Sequence, residues 1–324
     1  MNTTPLVSIV IPVKNGGNRL ANCLESLRQQ DFPSEMYEII VADGCSTDDT
    51  VEIAQKYGCQ VLNNPRQTVA GGRNVGIAAA RGKYIAFTED DIILPRNWIS
   101  EGVHALSDSS VAAVGGPTPI PASSAPFAKA VDLIFRAATI SGYSVQSGVT
   151  GGERKVNDIP GGNAMYRKAA LGKGPPVDEG LITGEDVDLH FRLRGQGHTL
   201  IYRPSFLAWH HKRDTPGRFF NQIRRFAKGR IQVSRRHKGA LGPMHRVTAI
   251  APAFIIAFLV LSPLHLMIYA AAFGLLACVA IGLGSRLGIR ASLWLPIAIG
   301  ILIIAWSVGF ITELFFPTND ATGK

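Results

Sequence analysis

Through residues 1–213 the apolar positions alternate between two periods. Short apolar, mostly β-branched runs at 6–13, 38–43, 60–62 and 84–87 read as strands. Between the first two, Leu20, Cys23, Leu24 and Leu27 recur at helical spacing. Residues 44–49 supply a turn and an N-cap for a helix reaching Tyr57, and 68–80 reads as a helix interrupted by glycines. Strand–helix alternation of this kind predicts an α/β domain on a mostly parallel sheet with right-handed crossovers.

The second half of the domain is less regular. Residues 111–117 read as a strand, 127–138 as a helix, and 141–157 as a loop that either lies on the surface or closes over a ligand. Gly161 and Gly162 precede another apolar run, and their lack of a side chain suits either a tight turn or close approach of a ligand. Leu189, Phe191 and Leu193 mark a helix opened by Gly184 and closed by Gly195 and Gly197, followed by a short strand at 199–202.

Beyond 213 the pattern changes twice. Phe219, Phe220, Ile223, Phe226 and Ile231 form an apolar stripe among Arg and Lys, the pattern of a helix lying in a membrane interface. Residues 247–284 then lack Lys, Arg, Asp and Glu altogether, and 291–316 carry Glu313 alone. These stretches predict a C-terminal transmembrane region of about three spans, two of them broken near Ser262-Pro263, with a re-entrant first helix as the alternative. The chain thus divides into a catalytic domain at 1–213, a basic amphipathic segment at 214–246 and a membrane region at 247–324.

Charge sharpens this division. The net charge of +9 is accounted for by 203–246, where twelve Lys and Arg face one acid, Asp214. A basic run beside apolar spans favours anionic lipid over nucleic acid as its partner. With Arg286 and Arg290 in the following connection, the positive-inside tendency puts the catalytic domain on the cytoplasmic side of the cell membrane in a multi-pass arrangement. The N-terminus has no basic region and no small-residue cleavage site, so no signal peptide is expected. Cys23, Cys45, Cys59 and Cys278 match no metal-ligand spacing and carry no chemistry in this reading.

The candidate chemistry sits where strands end. Glu89, Asp90 and Asp91 follow the strand at 84–87, and Asp43 ends the strand at 38–43. Ligands bind open α/β sheets at the carboxyl ends of their strands. Adjacent carboxylates repel unless a cation shares them, although an acidic turn and a self-bonded Asp before Gly44 are the plainer alternatives. Glu185 and Asp186 open a helix, where acids also complement the helix dipole, and Asp188 is spaced to pair with Arg192.

Four segments in register, 8–15, 41–48, 72–76 and 87–91, together resemble glycosyltransferase family 2. The resemblance implies a GT-A fold, a nucleotide-sugar donor, inversion at the anomeric carbon and Mg²⁺ or Mn²⁺ as cofactor. It places Pro12, Lys14 and Asp43 around the base and ribose, and Arg73 and Asn74 at the nucleotide or its phosphates. Glu89, Asp90 and Asp91 take the place of the family's DxD element, with Asp91 the metal-bridging carboxylate and Glu89 the departure, contacting the ribose or the ion. Gly162 and Asn163 resemble a donor-binding turn, and His211 is a further candidate for the metal or diphosphate. Asp186 corresponds to the catalytic base, with Glu185 orienting it. Gln222 and Arg225 resemble the QxxRW element of processive synthases, with Phe226 in place of Trp.

The implied activity is transfer of a sugar, UDP-linked by expectation, to a membrane-associated acceptor such as a lipid-linked glycan. The alternatives are transfer to polyprenyl phosphate and a non-catalytic membrane scaffold that keeps a nucleotide pocket. Single addition is favoured over chain extrusion.

Overall fold

A computed structural model describes residues 4–140, 151–261, 274, 278, 282 and 288–318. The strands in chain order are β1 (Val7–Val13), β2 (Tyr37–Asp43), β3 (Gln60–Asn63), β4 (Tyr84–Phe87), β5 (Ile92–Ile93), β6 (Val111–Gly115), β7 (Arg154–Val156), β8 (Ala164–Arg167), β9 (Thr199–Tyr202) and β10 (Trp209–His210). The helices are α1 (Gly17–Arg28), α2 (Thr50–Lys56), α3 (Val69–Ala79), α4 (Trp98–Ala105), α5 (Pro126–Ile140), α6 (Glu185–Gly195), α7 (Pro216–Arg236), α8 (Pro243–Leu261) and α9 (Ile289–Phe315).

Eight strands form one sheet in the order β3-β2-β1-β4-β8-β6-β9-β7. The alternating half is parallel throughout, β3 to β2 to β1 to β4. β8 runs antiparallel between β4 and β6, and β7 forms the edge, antiparallel to β9. β7 lies inside the stretch expected to be loop, and residues 141–150 of that stretch fall outside the described residues. Its three residues gain their strand character from β9, with Val156 opposite Leu200 and the Arg154 guanidinium 4.2 Å from the Tyr202 ring centre.

Both faces of the sheet are covered. On one, Leu20, Cys23, Leu24 and Leu27 of α1 pack with Trp98 and Ile99 of α4. On the other, Ala70 and Ile77 of α3 lie with Leu189 and Leu193 of α6. The glycines of α3 bring that helix close to the sheet: a Cβ on Gly76 would lie 2.2 Å from Cγ1 of Val10. This is why a helix poor in helix-forming residues is tolerated here.

The C-terminal helices depart from expectation. The stripe on α7 is not free to face lipid: Phe219 and Ile223 are buried with Phe127 and Val131 of α5 and with Leu295, Ala298 and Ala305 of α9. An amphipathic pattern reports that one face is covered, not what covers it. Among the described residues one helix, Arg290–Phe315, is long and apolar enough to cross a membrane, with a mean hydropathy of 2.2 and 28% of its apolar window buried in the protein. Most of the two spans expected over 247–284 lies outside the described residues, so the multi-pass arrangement finds no support here.

α8 is joined to α9 by His245, whose ring stacks on Trp306 at 5.4 Å and whose carbonyl accepts the Trp306 indole N–H at 2.9 Å. Burial, with Arg230 nearby, holds the His245 imidazole down at about 4. An unfolded chain therefore takes up a proton below its ordinary value near 6.5 that the folded chain refuses until about 4. Folding loses stability as pH falls through that window. Thermal melts in detergent should show Tm dropping between pH 7 and 4.5, with a smaller drop in His245→Phe.

Candidate active site

One edge of the sheet collects the candidate residues, because β1, β2 and β4 are parallel and end there together. β8 is antiparallel and starts at the same edge, with Ala164 opposite Phe87, so Gly161 and Gly162 arrive beside Glu89. A Cβ on Gly162 would lie 2.9 Å from the Glu89 carboxyl, and one on Gly161 would lie 2.6 Å from Oδ2 of Asp186. The two glycines therefore make room for carboxylates on either side of the turn.

The first centre is Glu89, Asp91 and His210, whose ligand atoms all lie within 4.8 Å of one another. Pairing of β10 with β5 sets His210 opposite Ile92 and so next to Asp91. His211, the residue expected from the sequence, donates its backbone N–H to the Asp91 carbonyl at 3.0 Å and has an exposed side chain. β10 ends at His210, and beyond it the His211 side chain faces solvent, so of the two adjacent histidines His210 enters the centre. Oδ1 of Asp91 is buried without a hydrogen-bond partner, 3.3 Å from Nε2 of His210, while Oδ2 lies 3.2 Å from the Arg213 guanidinium.

Electrostatics separate the two acids and the imidazole. Burial raises the Glu89 carboxyl, and the Asp91 charge raises it further. Burial would raise Asp91 too, but His210 and Arg213 hold it down at about 2. Burial alone would lower the His210 imidazole, yet Asp91 leaves it above its ordinary value. A buried carboxylate with an orphaned oxygen beside a second acid and an imidazole is a donor set that fits a divalent cation.

Arg73 connects this centre to the second one. Its guanidinium is 3% exposed, 2.6 Å from Oε1 of Glu185 and 3.7 Å from Oε1 of Glu89. Burial raises the Glu185 carboxyl in spite of the neighbouring Arg73. Asp186, one residue on, accepts the Val187 N–H on Oδ1 at 2.8 Å. Gly184 precedes them at φ +84°, a left-handed conformation that turns the chain into α6.

The loop before α6 is held by α7. Ile182 receives the Arg225 guanidinium on its carbonyl at 3.3 Å and donates its N–H to Oε1 of Gln232 at 3.0 Å. Gly229 packs against Thr183 so closely that a Cβ would lie 2.2 Å from its carbonyl oxygen. Arg225 thus braces the loop, and Gln222 is half-buried on the same helix. Gln232 was missed in the sequence because glutamine carries no chemical signal of its own.

The remaining expected residues divide. Pro12 lies under Gly72, Lys14 donates to Oε1 of Gln67 at 2.7 Å, and Asp43 accepts the Ser46 N–H at 3.2 Å. Asn74 is turned away from the site, bonding the backbone of Val177 and the Glu179 carboxylate. Asn163 is fully buried, bonded to the Trp98 indole and the carbonyls of Phe206 and Pro117, so no polar atom remains for a nucleotide. Asp90 pairs with Arg19 of α1 at 2.8 Å and anchors the acidic turn rather than joining the cluster. Asp188 bonds Arg192 as spaced, and also His237 at 2.7 Å.

The architecture and this edge of carboxylates are those of a sugar-transferring enzyme. Residues 8–174 match Glycosyl transferase family 2, and the chain belongs to that family. It is similar to Glycosyltransferase AglE of Haloferax volcanii, at 27% identity over 271 residues covering 82% of this chain and 85% of the relative. Over 107 residues it is 36% identical to the poly(ribitol-phosphate) beta-N-acetylglucosaminyltransferase TarS of Staphylococcus aureus, covering 31% of this chain and 19% of that one. In fold it is similar to the mannosyltransferase PcManGT from Pyrobaculum calidifontis, solved with GDP-Man and Mn²⁺, with a TM-score of 0.67, 19% identity and coverage of 96% and 88%. It also resembles S. aureus TarS residues 1–349 bound to UDP-GlcNAc, with a TM-score of 0.51, 17% identity and coverage of 95% and 91%.

Replacing Arg73 leaves two partly buried acids, Glu185 and Glu89, without their cation. Arg73→Met should cost about 3–5 kcal/mol at pH 8. The acids then bind protons in the folded state that they lose on unfolding, so the deficit should shrink toward pH 5. Urea unfolding at the two pH values measures both.

Proposed function

We propose that the chain transfers a sugar from a nucleotide-sugar donor to a membrane-associated acceptor with inversion at the anomeric carbon. The observation that carries this reading is Arg73, which joins a metal-type cluster to a helix-opening pair of acids across one sheet edge. Glu89, Asp91 and His210 would hold Mg²⁺ or Mn²⁺, and the imidazole in the set favours Mn²⁺. When bound, the ion offsets the charge developing on the departing diphosphate.

The rest falls to the chain's own side chains. Asp186 is the general base: with Oδ1 engaged by the Val187 N–H, Oδ2 takes the proton of the acceptor hydroxyl. The acceptor oxygen forms the new bond to the anomeric carbon as the bond to the diphosphate oxygen breaks, and the diphosphate keeps that electron pair. Arg73 fixes Glu185 beside the base and lends positive charge to the donor side. Pro12, Lys14 and Asp43, at the carboxyl ends of β1 and β2, would receive the nucleotide. The solved neighbours are bound to GDP-Man and to UDP-GlcNAc, so both nucleotides belong in the assay.

With purified full-length protein, Mn²⁺ and a donor panel, Asp186→Asn should lower kcat by about 10²–10⁴ with donor KM little changed. Asp91→Ala should abolish turnover, and full activity in both variants would overturn the assignment. Mn²⁺ titration followed by electron paramagnetic resonance separates the histidines without catalysis. His210→Ala should weaken Mn²⁺ binding by roughly tenfold or more, as loss of a ligand requires, and His211→Ala should leave it unchanged.

A further inference from the structure

We propose that α9 lies flat on the lipid surface, on the same side of the membrane as the active site, instead of crossing the bilayer. Its composition is that of a span, but its packing is not. Trp294, at its start, meets Phe127, which also packs on Phe219 near the beginning of α7. Further along, Gly309 fits against Arg224, where a Cβ would lie 2.2 Å from the carbonyl oxygen and 3.0 Å from Cβ of Ala227. At its end, Glu313 meets Gln232 at 3.3 Å and Arg235 at 3.2 Å. The two helices therefore run side by side and in the same direction.

On α7 the contact runs from Arg224 to Arg235, about 16 Å of helix and half of the roughly 30 Å of a hydrocarbon core, while the start of α9 is held on α5 through Trp294 and Phe127. A crossing α9 would carry α7 through the bilayer with it. α7 bears Arg218, Arg224, Arg225, Lys228, Arg230 and Arg235, among others, and each such charge costs about 2.5–3.5 kcal/mol or more at the bilayer centre. α7 is also tied to the loop before α6 through Arg225, Gly229 and Gln232, so it cannot leave the catalytic domain.

Glu313 settles the far end. It is fully buried, and its carboxylate also accepts the Thr318 hydroxyl at 2.8 Å while Arg235 donates to its backbone carbonyl at 2.7 Å. An acid in this apolar helix is thus matched by a cation on α7, and the end of α9 is fastened to that helix. Among the described residues, Leu293, Ile297, Ile304, Val308, Ile311 and Phe315 make an exposed apolar stripe at helical spacing, flanked by exposed Ile299 and Leu314. An exposed apolar stripe on a docked helix is the form of an interfacial element, and exposed Arg290 at its start suits anionic headgroups.

The inference extends the membrane part of the function proposed above, and its readouts do not involve turnover, so an inactive protein that labels as expected leaves it standing. In a Cys278→Ser chain, Cys45 is exposed on the catalytic domain and reports its side of the membrane. Phe316→Cys, added to that chain, should react with an impermeant maleimide in the same sealed vesicles that label Cys45. Reaction only after permeabilisation would overturn the proposal. Nitroxides at Leu293→Cys, Ile304→Cys and Phe315→Cys in phosphatidylglycerol–phosphatidylcholine vesicles should report one shallow depth. Ile304→Cys at the bilayer centre, labels shielded from lipid-soluble oxygen by a second copy of the chain, or a protein that stays in solution would each refute it.

Discussion

The buried guanidinium of Arg73 is the interaction on which the site depends. It lies on α3, contacts Glu185 at the mouth of α6 and Glu89 after β4, and lies 5.1 Å from the Phe87 ring centre. Without it, two desolvated acids would face each other across the sheet edge, and each would be driven to protonate. With it, segments more than a hundred residues apart share one charge balance. The glycines around it follow from the same constraint, since Gly161 and Gly162 lie where side chains would collide with the carboxylates that Arg73 organises.

A second dependence runs through α7. This helix turns its apolar face to α5 and α9 and its polar groups to the loop that delivers Glu185 and Asp186. Gln232 bonds both Ile182 of that loop and Glu313 at the end of α9. The position of the proposed base is therefore linked mechanically to the helix proposed to rest on lipid. In the proposed arrangement, such a connection fixes the height of the active site above the lipid surface.

The regular parts of the fold were legible in the sequence for a clear reason. β1 to β3 and the helices between them are wound locally, each strand pairing with the one before it, and β4 returns to β1 in the same parallel sense, so periodicity and turn residues suffice. β7 was read as loop because its strand geometry comes from β9, some forty residues away. Asn74 and Asn163 looked like ligand contacts because their type suits one; only their partners, Val177, Glu179, Trp98 and Phe206, show that every polar atom is already engaged. The choice between His210 and His211 turned on a two-residue pairing with β5, ending at His210, that no local pattern announces.

The sequence by itself determined the α/β class, the strand-end placement of Asp43, Glu89 and Asp91, the opening of α6 by Glu185 and Asp186, and the existence of amphipathic and apolar helices near the C-terminus. These are properties of spacing and residue type, which short-range sterics and burial translate directly into structure. Tertiary structure alone decided that Arg73 joins the two acidic centres, that His210 enters the cluster, that Asp90 belongs to Arg19, and that the apolar face of α7 is covered by α5 and α9. Each of those outcomes depends on which distant surfaces meet, and hydrophobicity specifies that a face must be buried without specifying its partner.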